Sequence, residues 1–84
     1  MRSYFITFRS VTFAQRGESV LKRAGIDCAL QRTPRWMEEK GCGYCLRIHD
    51  RDVSAAVQQL RQKQVDFRKV YSQMGSGSAE ELSV

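Results

Sequence analysis

The chain lacks most of what would tie it to a membrane, a metal or an enzyme active site. No apolar run in its 84 residues approaches the roughly 18 that a membrane-spanning helix needs, so no membrane association is expected. About five apolar or near-apolar positions separate Arg2 from Arg9, and no small-residue cleavage site follows, so there is no recognisable secretory signal and a cytoplasmic location is expected. There is a single histidine, His49, and no second C-x-x-C beside Cys42 and Cys45. Zinc would therefore lack ligands, and no metal is expected. A glycine-rich phosphate loop is also missing: "MGSGS" follows the last strand and leads into no helix. Serine nucleophiles have no partner base, so an enzyme is not expected. Three cysteines make an odd count without a secretion signal, which argues for reduced thiols rather than a disulfide framework. From Met74 onward there is no basic residue, and that stretch holds two of the nine acids. The rest carries fourteen bases against seven acids, so the net +5 of the whole chain becomes +7. This favours anionic partners, whether nucleic acid, small oxyanions or an acidic protein surface. The bases are scattered rather than blocked.

What is present fits one small domain over residues 1–73, with a flexible, glycine- and serine-rich tail over 74–84. "SYFITF" is aromatic and β-branched, apolar on both faces, and predicts an interior strand over Ser3–Phe8. Thr12 and Gln15 form a candidate capping box, and Ala14, Gly17, Leu21 and Ala24 recur at helical spacing up to a stop at Gly25. "IDCALQ" predicts a second strand and "GYCLRIH" a third. Asp50 is the expected N-cap of a second helix with an apolar stripe of Val53, Ala56, Val57 and Leu60. "VDFRKVY" is expected to form the fourth strand. Two β-α-β halves in tandem predict an α+β, ferredoxin-like βαββαβ sandwich, a four-stranded antiparallel sheet with both helices on one face. The first and third strands would be central, and the second face of the sheet open to a partner or ligand.

Between the halves, "RTPRWMEEKGCG" is longer than a tight hairpin. Thr33 and Pro34 suggest a short helical turn ending at Gly41, and Trp36 could anchor a partner or cap the core. The connector delivers Cys42 to the start of the third strand. If residues 42 to 45 are extended, their Cα atoms lie about 10 Å apart, beyond disulfide reach. A Cys42–Cys45 disulfide would require a turn at Gly41 and Gly43. Cys45 and His49 would stand about 13 Å apart on the same strand, too far to share an ion. A single reactive thiol fits better. Cys42 lies between glycines, with Arg32, Arg35, Lys40 and Arg47 nearby in sequence, and cationic neighbours stabilise a thiolate, a persulfide or a selenolate. Cys45 and Cys28 fall within strand patterns as small hydrophobes, Cys45 being the candidate second thiol.

The combination of "YFITF", "VLKRAGI", "TPR" and "CGYCLRI" resembles a family of small bacterial proteins described as selenium/sulfur carrier-like, over roughly residues 3–72. Leu21, Lys22, Gly25 and Ile26 match the family's helix end, and Thr33, Pro34 and Arg35 its connector. Cys42, Gly43, Leu46 and Arg47 match the start of its third strand. The resemblance implies that Cys42 is the carrier thiol, holding sulfur or selenium covalently with no other cofactor, and exchanging it with donor and acceptor proteins. Arg35 and Arg47 would stabilise the bound anion, with Thr33 and Gly43 beside it. Cys45 stands where the family usually has alanine, Arg32 where proline is common, and Trp36 and Met37 where Glu and an aliphatic residue are.

Two readings compete with the carrier. One is an RNA-binding module of the same topology, with Tyr4, Phe5 and Tyr44 stacking bases. The third strand lacks the Lys/Arg-Gly-aromatic-Gly/Ala-Phe pattern, which disfavours nucleic acid. The other is a protein-interaction module, including a homodimer, formed through an open sheet face or edge strand.

Overall fold

The computed structural model describes residues 2–33, 43–74 and 79–82. The aromatic N-terminal run becomes β1 (Arg2–Phe8), followed by α1 (Val11–Arg23), β2 (Cys28–Arg32) and β3 (Tyr44–His49). A 3-10 turn over Asp50–Asp52 leads into α2 (Val53–Gln62). The chain then forms β4 (Val70–Met74) and β5 (Ala79–Leu82). The sheet order is β2-β3-β1-β4-β5, antiparallel throughout. Its first four strands and two helices are the ferredoxin-like α+β arrangement, with β1 and β3 central. No helix among the described residues is long and apolar enough to cross a membrane.

Alternation along the strands divides the side chains between two faces. Ile6, Phe8, Leu46, Ile48 and Val70 pack with Leu21 of α1 and with Ala56, Val57 and Leu60 of α2 in the main core. Ser10, not Thr12, caps α1: its Oγ accepts from the Phe13 N–H at 3.4 Å. The 3-10 turn takes up Asp50, so the N-cap of α2 is Asp52, which makes no side-chain capping bond.

Both helices end in the same backbone device. After α1, Gly25 N–H donates to the Lys22 carbonyl and Ile26 N–H to that of Leu21. After α2, Gln64 N–H donates to Arg61 and Val65 N–H to Leu60. This is the Schellman pairing, which places one residue in the left-handed region. Gly25 sits there at φ 79° and Gln64 at φ 58°. Because a Cβ is unfavourable in that region, Gln64→Gly is expected to stabilise the protein by up to about 1 kcal/mol. Urea unfolding with an unchanged m-value would check it, and a destabilised variant would contradict it.

That helix exit also explains where β4 begins. Val65 belongs to the cap and is buried against the core with Phe67 beside it, so the expected strand over 65–71 is displaced to 70–74. Thr7 secures the junction. Its N–H donates to the Lys69 carbonyl at 2.8 Å, its Oγ1 donates to the same oxygen at 3.2 Å, and Lys69 N–H donates to that Oγ1 at 3.0 Å. The sequence reading ends the packed part at residue 73, whereas β4 runs to Met74 and β5 pairs with it. Strand pairing is satisfied by backbone groups, so a polar sequence can add a strand to the sheet.

Candidate functional site

The site expected from sequence stands at the start of β3, and the structure describes its strand side. β2 and β3 pair with Cys28 opposite Ile48 and Arg32 opposite Tyr44. One step beyond, Thr33 N–H donates to the Gly43 carbonyl at 3.0 Å. This is the last described contact before Cys42, which is joined to Gly43 by a peptide bond. Cys42, Arg35, Lys40, Trp36 and the expected turn after Pro34 lie outside the described residues, as does any Cys42–Cys45 pairing.

The sheet face away from the helices is not uniformly open. Cys45 is fully buried, Thr7 is 3% exposed, Phe5 6% and Thr33 7%. Phe5 and Cys45 form a small second core with Tyr71 packed against it. Farther along, Ala29, Arg47 and His49 are exposed. The expectation of a wholly open face therefore holds only for the half remote from Gly43.

Neither described cysteine is arranged as a ready nucleophile. Burial pushes the Cys45 thiol upward, against weaker opposing effects from the side chains of Thr33 and Gln31. Gln31 stands directly across the ladder and Thr33 diagonally. Thr33 Oγ1 is nevertheless buried without a conventional hydrogen bond, so it lies close enough to influence the sulfur but outside bonding geometry. Cys28, half-buried on the helix side, is also raised, first by burial and then by the Glu18 carboxylate, with Lys22 opposing. Lys22 is itself held 3.4 Å from Glu18. Both described cysteines are free thiols.

Of the expected basic residues, Arg32 and Arg47 are described, and they stand on opposite faces of the sheet. Arg47 is exposed on the same face as Gly43, four residues along β3, or about 13 Å at strand rise. It lines a depression at the far end of the strand. Arg32 lies on the helix side, its guanidinium 6.0 Å from the Tyr44 ring centroid. Gln31, beside Cys45, was missed by sequence reasoning. The period-two alternation of "IDCALQ" was the available signal once the ladder was known. Among the described residues no group of three or more His, Cys, Asp and Glu side chains is placed to hold a metal ion.

The aromatic residues expected to stack bases are also separated. Tyr4 and Tyr44 pack against the main core, while Phe5 is buried on the other face. They form no common exposed platform.

No curated protein and no solved structure matches the chain. A family model does, over residues 3–72, and its description is "Putative Se/S carrier protein-like". That span contains both β-α-β halves and the whole connector, and the description names a carrier rather than a catalyst. The chain belongs to this Se/S carrier-like family.

Proposed function

We propose that the protein carries sulfur or selenium as a covalent adduct on Cys42 and passes it between a donor and an acceptor protein. The observation supporting Cys42 in particular is the state of the other two thiols. Cys45 is fully buried, and both Cys45 and Cys28 are shifted toward the protonated form. A thiol must ionise and be accessible to attack, which leaves the cysteine between Gly41 and Gly43.

Loading requires no external oxidant. The Cys42 thiolate attacks the outer sulfur of a donor persulfide, R–S–S–H. A Cys42 S–S bond forms, the donor's S–S bond breaks, and the donor leaves as its thiolate. The transferred sulfur keeps its oxidation state and proton. A donor selenosulfide would react in the same way at selenium. Delivery reverses the process, with an acceptor thiolate attacking the outer atom and Cys42 leaving. Arg35, in the adjoining connector, stabilises the anionic forms, and Arg47 adds a longer-range attraction.

The test is incubation with a cysteine desulfurase and cysteine, followed by intact-mass measurement. The wild type, Cys28→Ser and Cys45→Ala proteins are expected to gain one labile sulfur, and Cys42→Ser none. Loading of a folded Cys42→Ser protein would overturn the assignment.

A further inference from the structure

Apart from Arg47, the residues lining the depression at the far end of β3 have no part in the carrier reading. It encloses about 420 Å³, within the size range of small-molecule sites. Ser3, Asp27, Ala29, Arg47 and His49 line it, with Cys28 beneath. Ala29 stands directly across from Arg47 and Ser3 directly across from His49, so two small side chains leave room between longer polar ones. Asp27 precedes β2 by one residue and lies two positions from Ala29, making it the diagonal neighbour of Arg47. Diagonal positions in an antiparallel pair are about 7–8 Å apart.

Asp27 and Arg47 carry opposite charges across this short span, yet they form no ion pair with each other. Among the described residues neither side chain makes any other hydrogen bond or ion pair, and the same is true of the His49 side chain. An exposed acid and an exposed base therefore flank small side chains with no partner for either charge among the described residues. A simple anion would use Arg47 and be repelled by Asp27, and a simple cation would meet the reverse. A molecule carrying both charges on groups bonded to one carbon satisfies both.

We infer that this depression is a binding site for the head group of a free α-amino acid. Its carboxylate accepts from the Arg47 guanidinium, which can donate two parallel hydrogen bonds. Its ammonium donates to the Asp27 carboxylate. His49, one step beyond the Cys28–Ile48 pair, faces Asp27 across the ladder and has Ser3 on its other side, so both border the ammonium end, and the amino-acid side chain projects from the sheet. The site uses no atom of Cys42, so its occupancy does not depend on whether that residue carries sulfur.

The test is a titration of the nitrogen-15-labelled full chain with L-alanine, N-acetyl-L-alanine, L-alaninamide and inorganic phosphate, followed by amide chemical shifts. L-alanine is expected to give saturable shifts at Ala29, Arg47 and His49. Removing either charge, in the two capped derivatives, is expected to weaken binding about 10-fold or more, and phosphate should bind no better than N-acetyl-L-alanine. Arg47→Met and Asp27→Asn should each weaken L-alanine about 10-fold or more, with dispersed spectra showing that both remain folded. The inference is overturned if L-alanine gives no saturable shifts, if a capped derivative or phosphate binds as well as L-alanine, or if either folded variant keeps wild-type affinity.

Discussion

In the native protein at neutral pH, Cys45 is expected to react with iodoacetamide at least about 10³-fold more slowly than in the unfolded chain. A fully buried side chain is modified only through opening of the structure, so its reactivity falls with the population of the open form, and small domains have unfolding equilibria of about 10³ or more. Burial adds a second barrier by disfavouring the thiolate. Cys28, half-buried, should be intermediate, and Cys42 should react first. Time-resolved alkylation with peptide mapping gives all three rates. Rapid modification of Cys45 in the folded protein would contradict its placement between Phe5, Thr7 and Gln31.

The same burial makes a pH prediction. Because the folded Cys45 and Cys28 thiols are raised, the unfolded chain loses these protons first as pH rises. Their contribution to stability is complete below the ordinary thiol pKa of about 8.5, and it is lost as pH rises from there through the folded values. Denaturation midpoints should therefore fall above that pH. Cys45→Ala, with Cys28→Ser, should flatten that part of the profile.

The largest stability loss is expected for Phe8→Ala, about 3–5 kcal/mol. Phe8 is fully buried at the centre of the main core, and its ring closely approaches α1. A Cβ placed on Gly17 would lie 2.9 Å from Phe8 Cζ and 3.3 Å from Leu46 Cδ1. Gly17 is therefore small because the helix rests on the ring, not because the backbone needs glycine. Gly17→Ala should destabilise despite the roughly 1 kcal/mol that alanine ordinarily gains in a helix. With Phe8→Leu the two costs should be non-additive, since shortening the ring relieves the crowding. Thermal unfolding of the single and double variants measures both effects. A stabilising Gly17→Ala, or simple additivity, would show that this contact does not limit the packing.

Much of the fold is legible because it depends on apolar spacing. "SYFITF", the stripe at Val53, Ala56, Val57 and Leu60, and the two β-α-β halves each specify an element and a buried side. The start of β4 is less legible because the helix exit uses Gln64 in a left-handed conformation without the usual glycine. β5 is missed because backbone pairing leaves little trace in hydropathy. At the candidate site, chain order puts Gly43 next to Cys42, and the ladder contact between Thr33 and Gly43 brings Thr33 to the same end of the strand. Sequence proximity also grouped Arg47 with this end of β3, and four residues of extended strand separate it from Gly43. The burial of Phe5 and Cys45 depends on packing against the second face, and alternation can assign residues to that face without saying which half is covered.

If one thiol carries the transferred atom, locating that atom on the chain decides which. The full chain would be incubated with a cysteine desulfurase and sulfur-labelled cysteine, trapped by alkylation under non-reducing conditions, and peptide-mapped. Label is expected on the peptide containing Cys42, bound through a persulfide and released by a thiol reductant. Label on Cys28 or Cys45, or a loaded desulfurase that transfers none to this chain, would contradict the assignment of Cys42.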